Sequence, residues 1–357
     1  MFGPVSFGKS ILRKRYLDSL ASKKNVLVLG PKFYGKTTLL KQYIASLKEK
    51  LGVYVDLEKI SIAPESFAVE FVSKAASSFL NSYQKEDIEH LFSIRAKFGK
   101  SSEYVEKIHN ELQKIKPDQK LLVESAFKFV DNLGKKVVLC LDELSELGKM
   151  DNFSQIKDFS KLFFNLDLKN VSIVAAGSDV NLLMEKYGKK MDVVFIDAFS
   201  SDEIKDMVND DKVASEVYKY SKGVPYFAEV ILNRYNEVKD VKKAFIIETL
   251  SSEGKIYSSC LSLLNSKLSK ARGQTLLRSV LKVLSVEDLR LNEISRRVFR
   301  SSPVAKTLLN RLISVDLVEK KDNLFSYSNS ILKYWAKHYF SGREFDEEML
   351  KKMEEEL

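Results

Sequence analysis

The sequence predicts an α/β fold, a mainly parallel sheet with helices on both faces, and three observations predict it. Residues 30–37, GPKFYGKT, fit the pattern G-x-x-x-x-G-K-[ST] at every fixed position, between the apolar run Asn25–Leu29 and helically spaced apolar residues from Thr38 to Ile44. Val137-Val138-Leu139-Cys140-Leu141 is an apolar run closed by the carboxylates Asp142 and Glu143. Short apolar runs alternate with helical segments along residues 25–196, the order expected of parallel strands joined by crossover helices.

Taken in order, a strand over 25–29 leads through the glycine loop into a helix. Further strands are expected over 53–57, 137–141, 171–176 and 193–196, with several amphipathic helices and no strand signal over 64–133. In open α/β sheets the carboxyl ends of strands are where ligands sit. Gly30 and Gly35 let the loop turn its N–H groups inward, and the following helix adds its positive end, a cradle for phosphates. Pro31, Lys32, Phe33, Tyr34 and Gly35 form that cradle, with Lys36, Thr37 and Thr38 opening the helix. Lys36 is placed to reach the β- and γ-phosphates of ATP or ADP, and the Thr37 hydroxyl to bind Mg²⁺. Asp142 is the second candidate for Mg²⁺, through water, and Glu143 the group that orients or deprotonates an attacking water. Lys36 and Glu143 are therefore the catalytic candidates. Ser178 follows the strand over 171–176, beside the expected γ-phosphate position; it senses that phosphate or, equally well, Ser178 or Asp179 is a plain cap of the next helix.

Composition narrows the classes. The chain has 357 residues, enough for two or three domains. No apolar run approaches membrane-spanning length, and residues 1–7 carry no signal-like segment. Two cysteines, Cys140 and Cys260, are too few for a disulfide framework, so a reducing cytoplasm is expected. Three scattered histidines without cysteine pairs exclude a zinc-ligand pattern. Abundant Lys and Glu with little Gln is a bias of thermophile proteins. The net charge of +9 is uneven: residues 272–340 hold seven Arg and six Lys against six Asp and Glu, +7, whereas 344–357 hold seven carboxylates and two Lys.

Residues 272–340 have the pattern of a winged helix. Amphipathic helices are expected over 276–284 and 292–299. A third runs from Val304 to about Ser314, capped by Ser302 with Pro303 first, burying Leu308, Leu309, Leu312 and Ile313. A hairpin follows over 317–327, turning at Asp322-Asn323, and then an aromatic helix with Tyr334, Trp335, Tyr339 and Phe340 that packs back on the core. Lys306, Asn310 and Arg311 on the third helix, with Arg296, Arg297 and Arg300 near phosphates, are the candidates for contact with duplex DNA. An internal clamp or a protein docking surface is the alternative use of the same module.

With these segments in place the chain resembles the archaeal ATPase family, in the STAND branch of AAA+-like P-loop ATPases. Phe7-Gly8-Lys9-Ser10 with Arg13 and Leu17 resembles the family's N-terminal segment near adenine, Asp142-Glu143-Leu144 its acidic strand end, and Gly223-Val224-Pro225-Tyr226 the G-x-P motif of its helical lid. Gly223-Val224-Pro225 equally fits a helix stop followed by a helix start. The resemblance implies a sheet in 5-1-4-3-2 order, an ATPase core over 1–199, a lid over 200–271, the winged helix over 272–340 and an acidic helical tail over 341–357. It implies a nucleotide-controlled switch, assembling with ATP or engaging a protein partner, with Phe7, Gly8, Pro225 and Tyr226 around adenine. Two departures stand out. Lys9 replaces an arginine, and no arginine follows the strand ending at Ala176, leaving Arg234 and Arg278 as substitutes for an arginine finger. Absence of N-K-x-D after the fourth strand disfavours a GTPase, and the Asp142-Glu143 pair disfavours a small-molecule kinase.

Overall fold

The computed structural model describes residues 14–208, 210–271 and 273–356. They divide into two units, one of residues 14–31 and 35–196 and the other of residues 32–34 and 197–356. The N-terminal segment Phe7-Gly8-Lys9-Ser10 and Arg13 lie outside the described residues.

The first unit is built on strands β1 (Asn25–Leu29), β2 (Leu51–Asp56), β3 (Val137–Asp142), β4 (Val171–Gly177) and β5 (Asp192–Phe195). All paired strands are parallel, in the order β2-β3-β4-β1-β5, which from the other edge runs 5-1-4-3-2. Every residue of β3 is buried, as a strand with neighbours on both sides and helices on both faces requires. The register pairs Leu29 with Gly177 and Asp56 with Asp142, so the carboxyl ends finish level along one edge of the sheet. β2 begins two residues earlier than the apolar pattern suggests, at Leu51-Gly52. Gly177 ends β4 where a Cβ would lie 2.2 Å from Leu183 Cδ1, so a larger residue there would make the Leu183 side chain of the helix Val180–Tyr187 shift.

Between β2 and β3 the chain forms the helices Pro64–Leu80, Ile88–Ile94, Ser102–Leu112 and Gln119–Asp131, with a 3₁₀ stretch at Arg95–Ser101. Their apolar faces supply an aromatic core in which Phe71 and Phe127 are 4.8 Å apart and Phe127 meets Phe163 edge-on at 5.6 Å.

The second unit opens with the helices Ser201–Lys205, Asp211–Ser221, Pro225–Val238, Val241–Leu250 and Lys255–Lys270. Then come the helices Gln274–Leu284, Leu291–Arg297 and Ser302–Ser314 and an antiparallel sheet of β6 (Leu289–Arg290), β7 (Val318–Lys321) and β8 (Leu324–Tyr327), ordered β6-β8-β7. Asp322 and Asn323 both have positive φ, 48° and 66°, the two-residue turn whose twist matches a hairpin. The cap of the helix Ser302–Ser314 stands one residue earlier than expected: Ser301 is at the N-cap without a side-chain bond, and Ser302 is already helical. Pro303 fits either of the first helical positions, so the pattern could not separate them. Ile313 is only partly buried, unlike Leu308, Leu309 and Leu312. The helix expected over 292–299 runs Leu291–Arg297, and Phe299 beyond it has a left-handed φ of 53°.

The aromatic helix Ser330–Ser341 packs on the second unit's own core: Trp335 is fully buried and Tyr334 stacks on Phe245 at 5.4 Å. The acidic helix Glu347–Glu356 lies along Val241–Leu250, where Lys242 Nζ donates to the Glu354 carbonyl. Among the described residues no helix is long and apolar enough to cross a membrane.

Both cysteines are buried free thiols. Burial pushes each up to about 12, with the Asp142 charge adding at Cys140. At pH 8 the thiolate fraction is then on the order of one in ten thousand. Ellman's reagent is expected to titrate neither thiol in the native protein and both in guanidinium chloride; rapid labelling of the native state would contradict this packing.

Candidate functional site

The loop after β1 owes its shape to two glycines. A Cβ at Gly30 would sit 3.0 Å from the Ile196 carbonyl, and Gly35 has φ 82°, a left-handed value that any side chain would strain. Gly35 is the N-cap of the helix Lys36–Ser46, whose first-turn N–H groups have no acceptor inside the helix. That combination of loop and helix start is an anion cradle. Lys36 is buried, and its ammonium donates to the carbonyls of Gly30 at 2.8 Å and Pro31 at 2.9 Å. Thr37 and Thr38 lie exposed on the first turn.

Because β3, β4 and β1 are neighbours in the sheet, Asp142, Ser178 and the loop at Gly30 follow adjacent strand ends. Thr37 Oγ1 donates to Asp142 Oδ2 at 2.6 Å, Tyr54 OH donates to the same oxygen at 2.8 Å, and the Glu143 N–H reaches Asp142 Oδ1 at 3.1 Å. Asp142 is 2% exposed. Glu143 takes a left-handed backbone conformation, φ 53° and ψ 56°, a sparsely populated region for a residue with a side chain. Its Oε2 accepts from Ser178 Oγ at 3.0 Å and from the Ser178 N–H at 3.3 Å. Ser178 therefore holds the glutamate, and Asp179 is the residue at the N-cap of Val180–Tyr187. Of the two residues that fit a cap, Asp179 takes the position.

Thr37, Asp142, Glu143 and Ser178 are thus joined by hydrogen bonds. The Thr37 hydroxyl and the Asp142 carboxylate are hard oxygen donors 2.6 Å apart, the donor type that Mg²⁺ takes from a protein while phosphates and water complete its shell. The residues fit that ion.

The tip of the loop, Lys32–Tyr34, groups with the second unit. The Phe33 ring stacks on Tyr226 at 5.4 Å and meets Phe227 at 5.1 Å, and the Phe33 carbonyl accepts from the Tyr226 N–H at 3.3 Å. Phe33 itself has φ 77°. Burial, then the Asp197 charge, raises the Tyr34 phenol above its ordinary value. Gly223-Val224-Pro225 marks a helix stop and a helix start: Asp211–Ser221 ends at a left-handed Lys222, and Pro225 opens the next helix. Phe7 and Gly8 lie outside the described residues.

The arginines considered as fingers are engaged in the second unit. Arg234 forks between Glu248 at 2.7 Å and Glu237 at 2.6 Å, and Arg278 donates to Asn265 at 2.8 Å. Lys306, Asn310 and Arg311 are exposed along Ser302–Ser314, and Arg296, Arg297 and Arg300 are exposed nearby. Arg297 is paired with Glu287 at 2.5 Å.

Sequence reasoning did not find Tyr54. β2 and β3 pair Tyr54 with Cys140, so the phenol leaves the sheet on the side that carries Asp142, two residues on. Only the register reveals this. Burial, then the Asp142 carboxylate, raises the Tyr54 phenol well above its ordinary value.

A five-stranded parallel sheet with this loop at β1 and the acid pair at β3 is the architecture of a P-loop ATPase. The chain belongs to a family of ATPase domains found predominantly in Archaea, whose model matches residues 15–230. Among solved structures it is similar to the Walker-type ATPase PABY2304 of Pyrococcus abyssi, at 17% identity and TM-score 0.63, over 91% of this chain and 94% of that one. A weaker likeness, TM-score 0.46 at 14% identity, is to the ORC2 protein of Aeropyrum pernix, over 92% of this chain and 93% of that one. Another, TM-score 0.39 at 14% identity, is to a STAND protein with a tetratricopeptide repeat sensor from Pyrococcus horikoshii, over 98% of this chain and 46% of that one. No curated protein matches.

Proposed function

We propose that the chain is an ATP-hydrolysing molecular switch of the STAND, AAA+-like type. The observation that carries this reading is the hydrogen-bonded set Thr37, Asp142, Glu143 and Ser178 beside the glycine loop. In this reading Lys36 and the N–H groups of the helix Lys36–Ser46 bind the phosphates, and Thr37 and Asp142 hold Mg²⁺. When bound, Mg²⁺ neutralises charge on the β- and γ-phosphates. Glu143 orients the attacking water and takes its proton, and Ser178 keeps the carboxylate in place until the γ-phosphate arrives. Residues 200–271 act as a lid, with Pro225 and Tyr226, joined by Phe7 and Gly8, next to adenine. Residues 272–340 act as a winged helix and 341–357 as its acidic tail.

Light scattering of Glu143→Gln, first with ADP and then with ATP and Mg²⁺, tests the switch. A monomer that assembles only with ATP is the expected result; one mass in both states would remove assembly from the reading.

A second reading, a nucleotide-controlled regulator that binds duplex DNA, is favoured by one observation. The face of Ser302–Ser314 that does not pack in the core exposes Lys306, Asn310 and Arg311, in a segment of charge +7. Because Arg297 is paired with Glu287, Arg296 and Lys306 are the residues to reverse. Arg296→Glu with Lys306→Glu is expected to weaken duplex binding by ten- to a hundredfold or so at low salt and to flatten its salt dependence. Equal binding by the parent and the double variant in a fluorescence anisotropy titration would eliminate this reading.

A further inference from the structure

Resting on the nucleotide-hydrolysis reading, we propose that Tyr54, on the edge strand β2, is a positioning residue that orients the Asp142 carboxylate for the divalent cation. Three donors hold that carboxylate: Thr37 Oγ1 at 2.6 Å and Tyr54 OH at 2.8 Å on Oδ2, and the Glu143 N–H at 3.1 Å on Oδ1. They come from three separate places in the chain, so the carboxyl group is fixed in rotation as well as in position. Two of them are already committed elsewhere, since Thr37 opens the phosphate-binding helix and Glu143 carries the proposed base. Tyr54 is the donor whose only stated task is to hold Asp142.

Its own position is well determined. The parallel register sets Tyr54 beside Cys140 and Asp56 beside Asp142, so the phenol reaches diagonally along one face to the next side chain that points the same way. The ammonium of Lys41, on the helix that follows the glycine loop, lies over the ring 5.4 Å from its centroid.

A metal ligand needs its lone pairs aimed. Mg²⁺ tolerates little departure from octahedral geometry, so a carboxylate free to rotate spends less time in the competent orientation. Loss of the phenol hydroxyl should therefore raise the Mg²⁺ requirement and leave the phosphate cradle, built from Lys36 and backbone, untouched.

The test is Tyr54→Phe, which removes one oxygen and keeps the ring and its packing. Binding of a fluorescent ADP analogue is measured in EDTA and then across a Mg²⁺ titration, and ATP turnover is measured over the same Mg²⁺ range. Affinity in EDTA should match the parent. The Mg²⁺ concentration for half of the binding enhancement should rise about tenfold, the effect expected of one hydrogen bond to a charged group. Turnover at saturating Mg²⁺ should recover to within about threefold. A purely structural role would lower the melting temperature and leave the Mg²⁺ midpoint where it was, and that result overturns the proposal. If instead the parent protein shows no Mg²⁺-dependent nucleotide binding, the hydrolysis reading falls and Tyr54's role falls with it. The parent titration thus separates the two failures.

Discussion

Glu143→Gln is expected to bind ATP with Mg²⁺ as tightly as the parent protein and to hydrolyse it at least a hundredfold more slowly. A positioned general base contributes roughly 10²–10⁴-fold, and the amide has almost the shape of the carboxylate without its basicity. The contact with Ser178 should survive, because the amide oxygen can still accept from Ser178 Oγ, now at 3.0 Å from the carboxylate. The left-handed backbone at residue 143 is unaffected by the change. Binding by calorimetry beside single-turnover hydrolysis distinguishes the outcomes. Slow turnover with retained affinity assigns the chemistry to Glu143, whereas parent-like turnover would move it to another group.

Lys36→Ala is expected to weaken ADP and ATP alike, by roughly ten- to a hundredfold, the value of one or two charge-assisted hydrogen bonds to phosphate. Lys36 is 5% exposed and its ammonium is bonded to the Gly30 and Pro31 carbonyls, so the substitution also removes the donor that holds these two acceptors. A fall in melting temperature of a few degrees should accompany the loss of affinity. Calorimetric titration with each nucleotide checks the prediction. Unchanged affinity for both would mean that the loop binds something other than phosphate.

Much of the first unit was legible because its chemistry and its strands coincide. β1 and β3 are unbroken apolar runs that end at Gly30 and at Asp142-Glu143, so hydrophobic pattern and motif marked the same boundaries. β2 was less clear, since Gly52 dilutes its start, and β5 begins on the charged Asp192. The hairpin turn at Asp322-Asn323 could be read because few residue pairs accept two left-handed conformations. What escaped depended on partners distant in the chain. Ser178 fits a cap by type and spacing, and only the direction of its hydroxyl toward Glu143 decides otherwise. Phe33 sits at a position where the motif accepts any residue, so its stacking on Tyr226 carries no local signature. Tyr54 meets Asp142 across 88 residues, through a register that no periodicity encodes.

The strand order also bears on how the chain is made. Among the described residues β1 pairs with β4 and β5 alone, so within them residues 25–29 have no strand partner until the chain has grown past Gly177. At about 5–20 residues per second that wait is roughly seven to thirty seconds. During it the apolar segment that will carry the glycine loop has an open edge on both sides, while the helices between β2 and β3, which rely on nearer contacts, can already be forming. The nascent protein should be most prone to aggregation and most dependent on chaperones in this interval, and truncations that stop short of β4 should be recovered as insoluble material.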